Sequence, residues 1–243
     1  MAVLFEHCQV QEHNVHVSLT QPRVKQTPKR NYHHGDLQVS LVTEAKRLVA
    51  QRGVENISLR QVATNIGVSP SAAYHHFGDK DELLRAAAIS AFDDLALFQE
   101  LALAKVPGNS ASAIRERFRI LGSAYVGFAR KNPNLFRLAF GPYCGGEELA
   151  KEESKPWQML VAALDAIDSI GDIDPTLRPH SEILVWAAIH GAANLIIDKL
   201  LPAEALDPIL DSVANSLKGS LKSSPKGSLK SPSRAGTKKR AKL

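Results

Sequence analysis

Cysteine is almost absent from this sequence: its 243 residues contain two, Cys8 and Cys144. So far apart, they build neither a disulfide framework nor a zinc ribbon, and a reducing cytoplasm is the expected setting. Long apolar runs are lacking too. No stretch reaches the ~18 uninterrupted apolar residues of a membrane-spanning helix, so no membrane partner is expected. Met1 to Val17 carries Glu6, Glu12 and three histidines where a secretory signal needs a basic start and an apolar segment. Enzyme signatures are missing as well. There is no Gly-rich phosphate loop, nucleophile elbow, HExxH pair or pair of catalytic carboxylates, so neither an enzyme nor a cofactor is expected. The remaining profile, 44% apolar and 23% charged, fits an ordinary globular protein of one or two domains.

Acidic residues are absent from one end. Residues 218–243 hold nine Lys and Arg and no Asp or Glu, whereas residues 37–217 carry a net charge of −5 and the whole chain +5. The basicity therefore belongs to a tail, in which Lys218-Gly-Ser-Leu-Lys-Ser-Ser-Pro225 nearly repeats as Lys226-Gly-Ser-Leu-Lys-Ser-Pro-Ser233. So polar a repeat does not offset its ordering entropy, and disorder is expected there. Residues 1–34 lack periodicity and read as a disordered lead with a basic arm, Arg23 to Arg30. Phosphate binding by the tail is favoured over an idle solvated segment.

Between these ends the pattern is helical throughout, which predicts an all-α fold. Leu37, Leu41, Ala45, Leu48 and Val49 recur at spacings of three and four, and Gly53 follows as a stop. Ser58-Leu-Arg-Gln61 is a capping box, and Gly67 ends the helix it opens. Ser69-Pro70 supplies an N-cap and a proline at the first position of a third helix, expected to run to about Phe77. Asp79 to Glu82 launches a long fourth helix. Asn132-Pro133 breaks a later helix, and a further one is expected from Glu148 to Ile170, kinked or split at Pro156. Glu182 to Leu201 and Ala203 to Leu217 complete the pattern.

Two short helices joined at Gly67-Val68-Ser69, with small Ala63 and Gly67 at the crossing, have the form of a helix-turn-helix. Such pairs are common in all-α proteins, so the flanking order decides. With Gly53, Ser58-Leu59-Arg60, Val62-Ala63, Gly67-Val68-Ser69, Tyr74, Phe77, Lys80 and Leu83-Leu84 in place, residues 33–95 resemble the TetR family of one-component bacterial repressors. Tyr32-His33-His34-Gly35-Asp36-Leu37, Asn132-Pro133-Asn134-Leu135-Phe136 and Trp186-x-x-x-His190-Gly191 resemble the branch with a WHG-type C-terminal domain.

The resemblance implies a DNA-binding head at 35–95 and a ligand-binding and dimerisation domain at 96–217. Double-stranded DNA, a second copy of the chain and a small apolar effector are then the expected partners. Ser58 and Arg60 are expected on phosphate beside a helix N-terminus, with Tyr74 and Lys80 where the family contacts phosphate. Ser69 opens the recognition helix, and Ser71, Ala72, Ala73 and His75 are its candidates for base edges. That helix holds no Arg or Lys, and residues 37–89 carry six basic and five acidic side chains, a nearly neutral head. Phe118, Tyr125, Phe128, Phe140 and Trp157 are expected to line the effector cavity. Trp186, Gly191, Ala192, Leu195, Leu210 and Val213 are expected at the dimer interface.

Metal ligation is the weaker reading of His33-His34 and His75-His76, because adjacent histidines point to different helix faces; no metal site is expected, and His190 reads as a satisfied buried histidine. A nonspecific, nucleoid-type DNA-binding protein working through its tail is the competing function. Removing residues 218–243 should lower affinity for operator and random DNA by similar factors and flatten the dependence of log affinity on log salt by about 0.9 per lost phosphate contact. A salt titration of full-length and truncated protein checks this, and an unchanged slope would remove the tail from the complex.

Overall fold

The stripe of Leu37, Leu41, Ala45, Leu48 and Val49 becomes the buried face of α1 (His34–Arg52) in a computed structural model that describes residues 34–144 and 154–219. The arm at 23–30, the tail from residue 220 and positions 148–153 of the expected seventh helix lie outside the described residues. Gly53 stops α1 at φ +75°, its amide bonded to the Val49 carbonyl at 2.8 Å. The caps fall where the sequence places them. Ser58 Oγ accepts the Gln61 amide at 3.2 Å to open α2 (Leu59–Asn65), and Ser69 Oγ accepts the Ala72 amide at 3.2 Å to open α3 (Pro70–Tyr74). Asp79 accepts the Glu82 amide at 2.7 Å at the start of α4 (Lys80–Leu103), while the Glu82 carboxylate reaches back to the amide of Gly78 at 2.6 Å.

α3 is shorter than expected. The amides of His76 and Phe77 both bond to the Ala73 carbonyl, a tightening that turns Phe77 into the core at 2% exposure. Beyond α4 come α5 (Ala111–Lys131), α6 (Pro133–Ala139), α7 (Lys155–Ser169), α8 (Ser181–Ile197) and α9 (Leu206–Leu217). Ser154 is extended and α7 begins beside Pro156, which lies in the first turn where its missing N–H costs nothing, so the expected helix does not run unbroken through this point. α8 stops at Ile197, earlier than Pro202 alone predicts. Lys199 takes φ +60°, and the amides of Leu200 and Leu201 fold back onto the Leu195 carbonyl. All nine α-helices, with no strand among the described residues, make an all-α fold, and none of them is long and apolar enough to cross a membrane.

Apolar side chains collect in two clusters. The first joins α1, α2 and α3 to α4 from Leu83 to Phe92. The second begins at Leu95 on the same unbroken α4 and gathers α5, α7, α8 and α9. α6 serves both: Leu135, Leu138 and Ala139 enter the first cluster and Phe136 the second. The Asn134 amide donates to the Ala50 carbonyl at 3.1 Å, and Arg137 pairs with Asp198 at 2.5 Å, tying α6 to α1 and to the end of α8.

Gly67 sits at φ +77° in the turn between α2 and α3, and a Cβ there would meet nothing within 4 Å. Gly67→Ala therefore isolates backbone strain and should lower the unfolding free energy by about 1 kcal/mol, read by urea denaturation. An unchanged midpoint would mean that the left-handed turn is not maintained in solution.

Candidate functional site

On the outer face of the helix pair, Ser58, Arg60, Ser69, Ser71, Tyr74 and His75 are exposed, with Ala72 and Lys80 half-buried. Tyr74 stands out at 52% exposure. Ala73 does not belong with them. It is fully buried in the first cluster and cannot reach a base, because Ala73 and Phe77, four apart, share the inward face. No charged side chain stands on α3, so the face it presents is a hydroxyl, a phenol and an imidazole. The pair is held against α1 by Glu44, which accepts from Asn65 at 2.6 Å and from Arg47 at 2.7 Å. The Arg47 hydrogen bond holds the Glu44 carboxyl below its ordinary range.

A cavity of about 590 Å³ opens within the second cluster. Phe118, Tyr125, Phe140 and Trp157 line it as expected. Phe128 does not: it lies nearly a turn beyond Tyr125 on α5 and packs edge-on against Phe98 at 5.9 Å between ring centroids. The sequence also misses Phe92, Gln99 and Trp186 as lining residues. Trp186, Leu210 and Val213, expected at an interface between copies, face this cavity, and Ala192 is buried at 4% exposure. α8 is apolar on every side, so periodicity could not tell its inner face from its outer one. Gly191 is half-buried and Leu195 is exposed, and a Cβ on Gly191 would meet nothing within 4 Å. With them the outer face presents Ile183 and Leu184, at 53% and 47% exposure, beside a shallow groove formed with Pro208, Ile209 and Ser212 of α9.

Inside the cavity the Tyr125 hydroxyl lies 2.8 Å from His190 Nδ1. Burial pushes the phenol far up, against a smaller opposing pull from a hydrogen bond with Trp186, so the hydroxyl stays protonated and shares its hydrogen bond with the imidazole. Burial also holds His190 below its usual 6.5, which keeps the ring neutral. The aromatic rings of Phe140, Trp186 and Phe136 enclose it at 4.8, 5.3 and 5.4 Å. Gln99, 2% exposed, donates from Nε2 to the Leu121 carbonyl at 3.2 Å, and its Oε1 has no partner. The opening is flanked by Arg115, paired with Asp172 at 2.6 Å, and Arg119, paired with Asp211 at 2.6 Å and Asp207 at 2.8 Å. Gly122 lies in the wall, where a Cβ would come within 2.7 Å of Leu210 Cδ2.

Two family models match the chain: bacterial regulatory proteins of the tetR family over residues 41–87, and the tetracyclin repressor-like C-terminal domain over residues 118–217. The HTH-type transcriptional regulator BetI of Brucella canis is 35% identical over 65 residues, which is 27% of this chain and 29% of that protein. The chain spans less than half the length of the curated relatives it matches. A protein of unknown function from Rhodococcus sp. RHA1 superposes with a TM-score of 0.64 at 28% identity, over 78% of this chain and 97% of its own. RolR, solved in complex with its ligand resorcinol, superposes with a TM-score of 0.55 at 16% identity over 76% of this chain and 88% of its own, a likeness of fold alone.

The neutral His190 has a pH signature. A group whose folded pKa is depressed contributes stability that is present above its unfolded value and lost as pH falls through the folded one. Thermal stability should therefore begin to fall below about pH 6.5, the usual histidine value. His190→Gln, which retains an acceptor for Tyr125, should flatten that part of the profile. An identical profile for both proteins would show that His190 is free to charge in the folded state.

Proposed function

Because the chain belongs to the TetR family of bacterial regulatory proteins, we propose that it is a ligand-responsive, DNA-binding transcription regulator of the cytoplasm. In this reading a homodimer represses by occupying a palindromic operator, and a small apolar effector releases it. The observation that carries the reading is an aromatic cavity that shares α4 with the core against which the helix-turn-helix packs. Phe92 lines the cavity from α4 while also packing in the head's core. Phe140, which directly follows α6, lines it as well and meets Phe92 edge-on at 4.8 Å. An effector that displaces these two rings acts on α4 and α6 together, and both are built into the head.

Close packing transmits such a displacement because a filled core moves between discrete arrangements. Linkage makes the effect reciprocal: a ligand favouring a head spacing unsuited to two half-sites lowers operator affinity, and operator lowers ligand affinity by the same factor. For DNA contact the exposed set is Ser58, Arg60, Ser69, Ser71, Tyr74 and His75, with the half-buried Ala72 and Lys80 at its edge; Ser71 and His75 face the bases, and Tyr74 and Lys80 the phosphates. The dimer uses the outer face of α8 and α9, with Ile183, Leu184, Gly191, Leu195 and Ile209, as a self-complementary surface.

Footprinting and binding-site selection with the full chain test the reading. One discrete palindrome should be protected. Ser71→Ala and His75→Ala should change the base preference at particular positions, and Lys80→Ala should weaken all sequences alike with a salt slope smaller by about one. Gly191→Leu, at a position where a Cβ meets nothing within 4 Å in its own protomer, should lose cooperative protection and sediment as a monomer. The same selected motif from wild type, Ser71→Ala and His75→Ala would defeat the assignment of α3, and uniform protection without a palindrome would favour the nonspecific alternative.

A further inference from the structure

Building on the ligand-responsive reading above, we propose that the cavity takes a neutral aromatic molecule bearing a hydrogen-bond donor, a phenolic hydroxyl or a ring N–H, received by Oε1 of Gln99. Gln99 comes from α4, lines the cavity and is 2% exposed. Its Nε2 is committed to the Leu121 carbonyl of α5, which fixes the amide plane and leaves Oε1 as a buried acceptor without a donor. An orphaned acceptor of this kind is costly to keep, and an incoming donor recovers the loss. The same asymmetry makes a hydrogen-bonding site reject an analogue that lacks the donor far more strongly than an apolar wall rejects a misfit.

The remaining polar groups narrow the class further. Tyr125 and His190 satisfy each other, and Tyr125 also bonds with Trp186. Among the described residues no charged side chain lining the cavity is buried: Arg115 and Arg119 are taken by Asp172, Asp207 and Asp211 at the opening, and Glu116 and Lys218 are exposed. A charged ligand would thus lose its hydration without gaining a counter-charge. Phe92, Phe118, Tyr125, Phe140, Trp157 and Trp186 supply ring faces and edges around a volume of about 590 Å³. That space accommodates fused rings and suits an aromatic occupant that stacks or packs edge-on.

The test is calorimetric titration of the full chain with 2-naphthol and 2-methoxynaphthalene, which share rings and oxygen but differ in the donor. Wild type should bind 2-naphthol about tenfold more tightly. Gln99→Met, close in length and lacking the acceptor, should bring the two probes to within about twofold of each other. Tyr125→Phe should keep the preference, which holds the assignment to Gln99 even if the first variant does not fold. Equal affinities in wild type, a preference that survives Gln99→Met or vanishes with Tyr125→Phe, or no saturable binding of either probe would overturn the proposal. No DNA enters the titration. Discrimination through Gln99 with operator binding unmoved by 2-naphthol would uphold this inference and count against the regulatory reading, and the converse result would do the opposite.

Discussion

A seven-residue helix belongs to two cores at once, and the rest of the structure is arranged around that fact. Pro133 starts α6 immediately after α5, so the helix has no loop in which to drift. Leu135, Leu138 and Ala139 are packed with α1 and α4, while Phe136, the largest fully buried side chain, faces the other way. Its polar ties run to Ala50 on α1 and to Asp198 at the end of α8. Neither half of the protein can shift against the other without repacking these four side chains, and interiors at crystal-like density repack in steps. α4 adds a second continuous link, since the apolar packing passes from one cluster to the next between Phe92 and Leu95 within one helix.

What the sequence displays and what it hides follow from how local each signal is. Ser58, Ser69, Asp79, Gly53 and Gly67 could be assigned before any coordinates because caps and left-handed stops are decided within four residues. The faces of α8 could not, since Val185, Ile189 and Ala193 inside and Ile183, Leu184 and Leu195 outside are equally apolar. Ala73 was misread because a five-residue helix is too short to display a periodicity of its own. Pro156 was ambiguous until the start of α7 was known. Gln99 is polar and does not announce itself as a wall residue, yet its position, seven after Phe92 and four after Leu95, sets it on the buried stripe of α4.

Two of the head's basic side chains hold it together. Lys46 reaches Asp94 at 2.6 Å and Ser90 Oγ at 2.9 Å, joining α1 to α4, and Arg47 is engaged by Glu44. What faces outward from α3 includes no Lys, Arg, Asp or Glu. Such a face offers hydroxyl, imidazole and methyl groups in place of Lys or Arg side chains.

Gly122 gives one missing methyl group control over two surfaces. Its bare Cα lets α9 lie close to α5, with Leu210 filling the space a Cβ would take. α9 turns Leu210 and Val213 toward the cavity and Pro208, Ile209 and Ser212 toward the outside. Any side chain at position 122 must either press Leu210 into the cavity or lift α9, and lifting α9 also reshapes the groove it forms with α8. The shape of the cavity within and the contour of the groove outside are therefore two consequences of the same interhelical gap, and a residue that reshapes one reshapes the other with it.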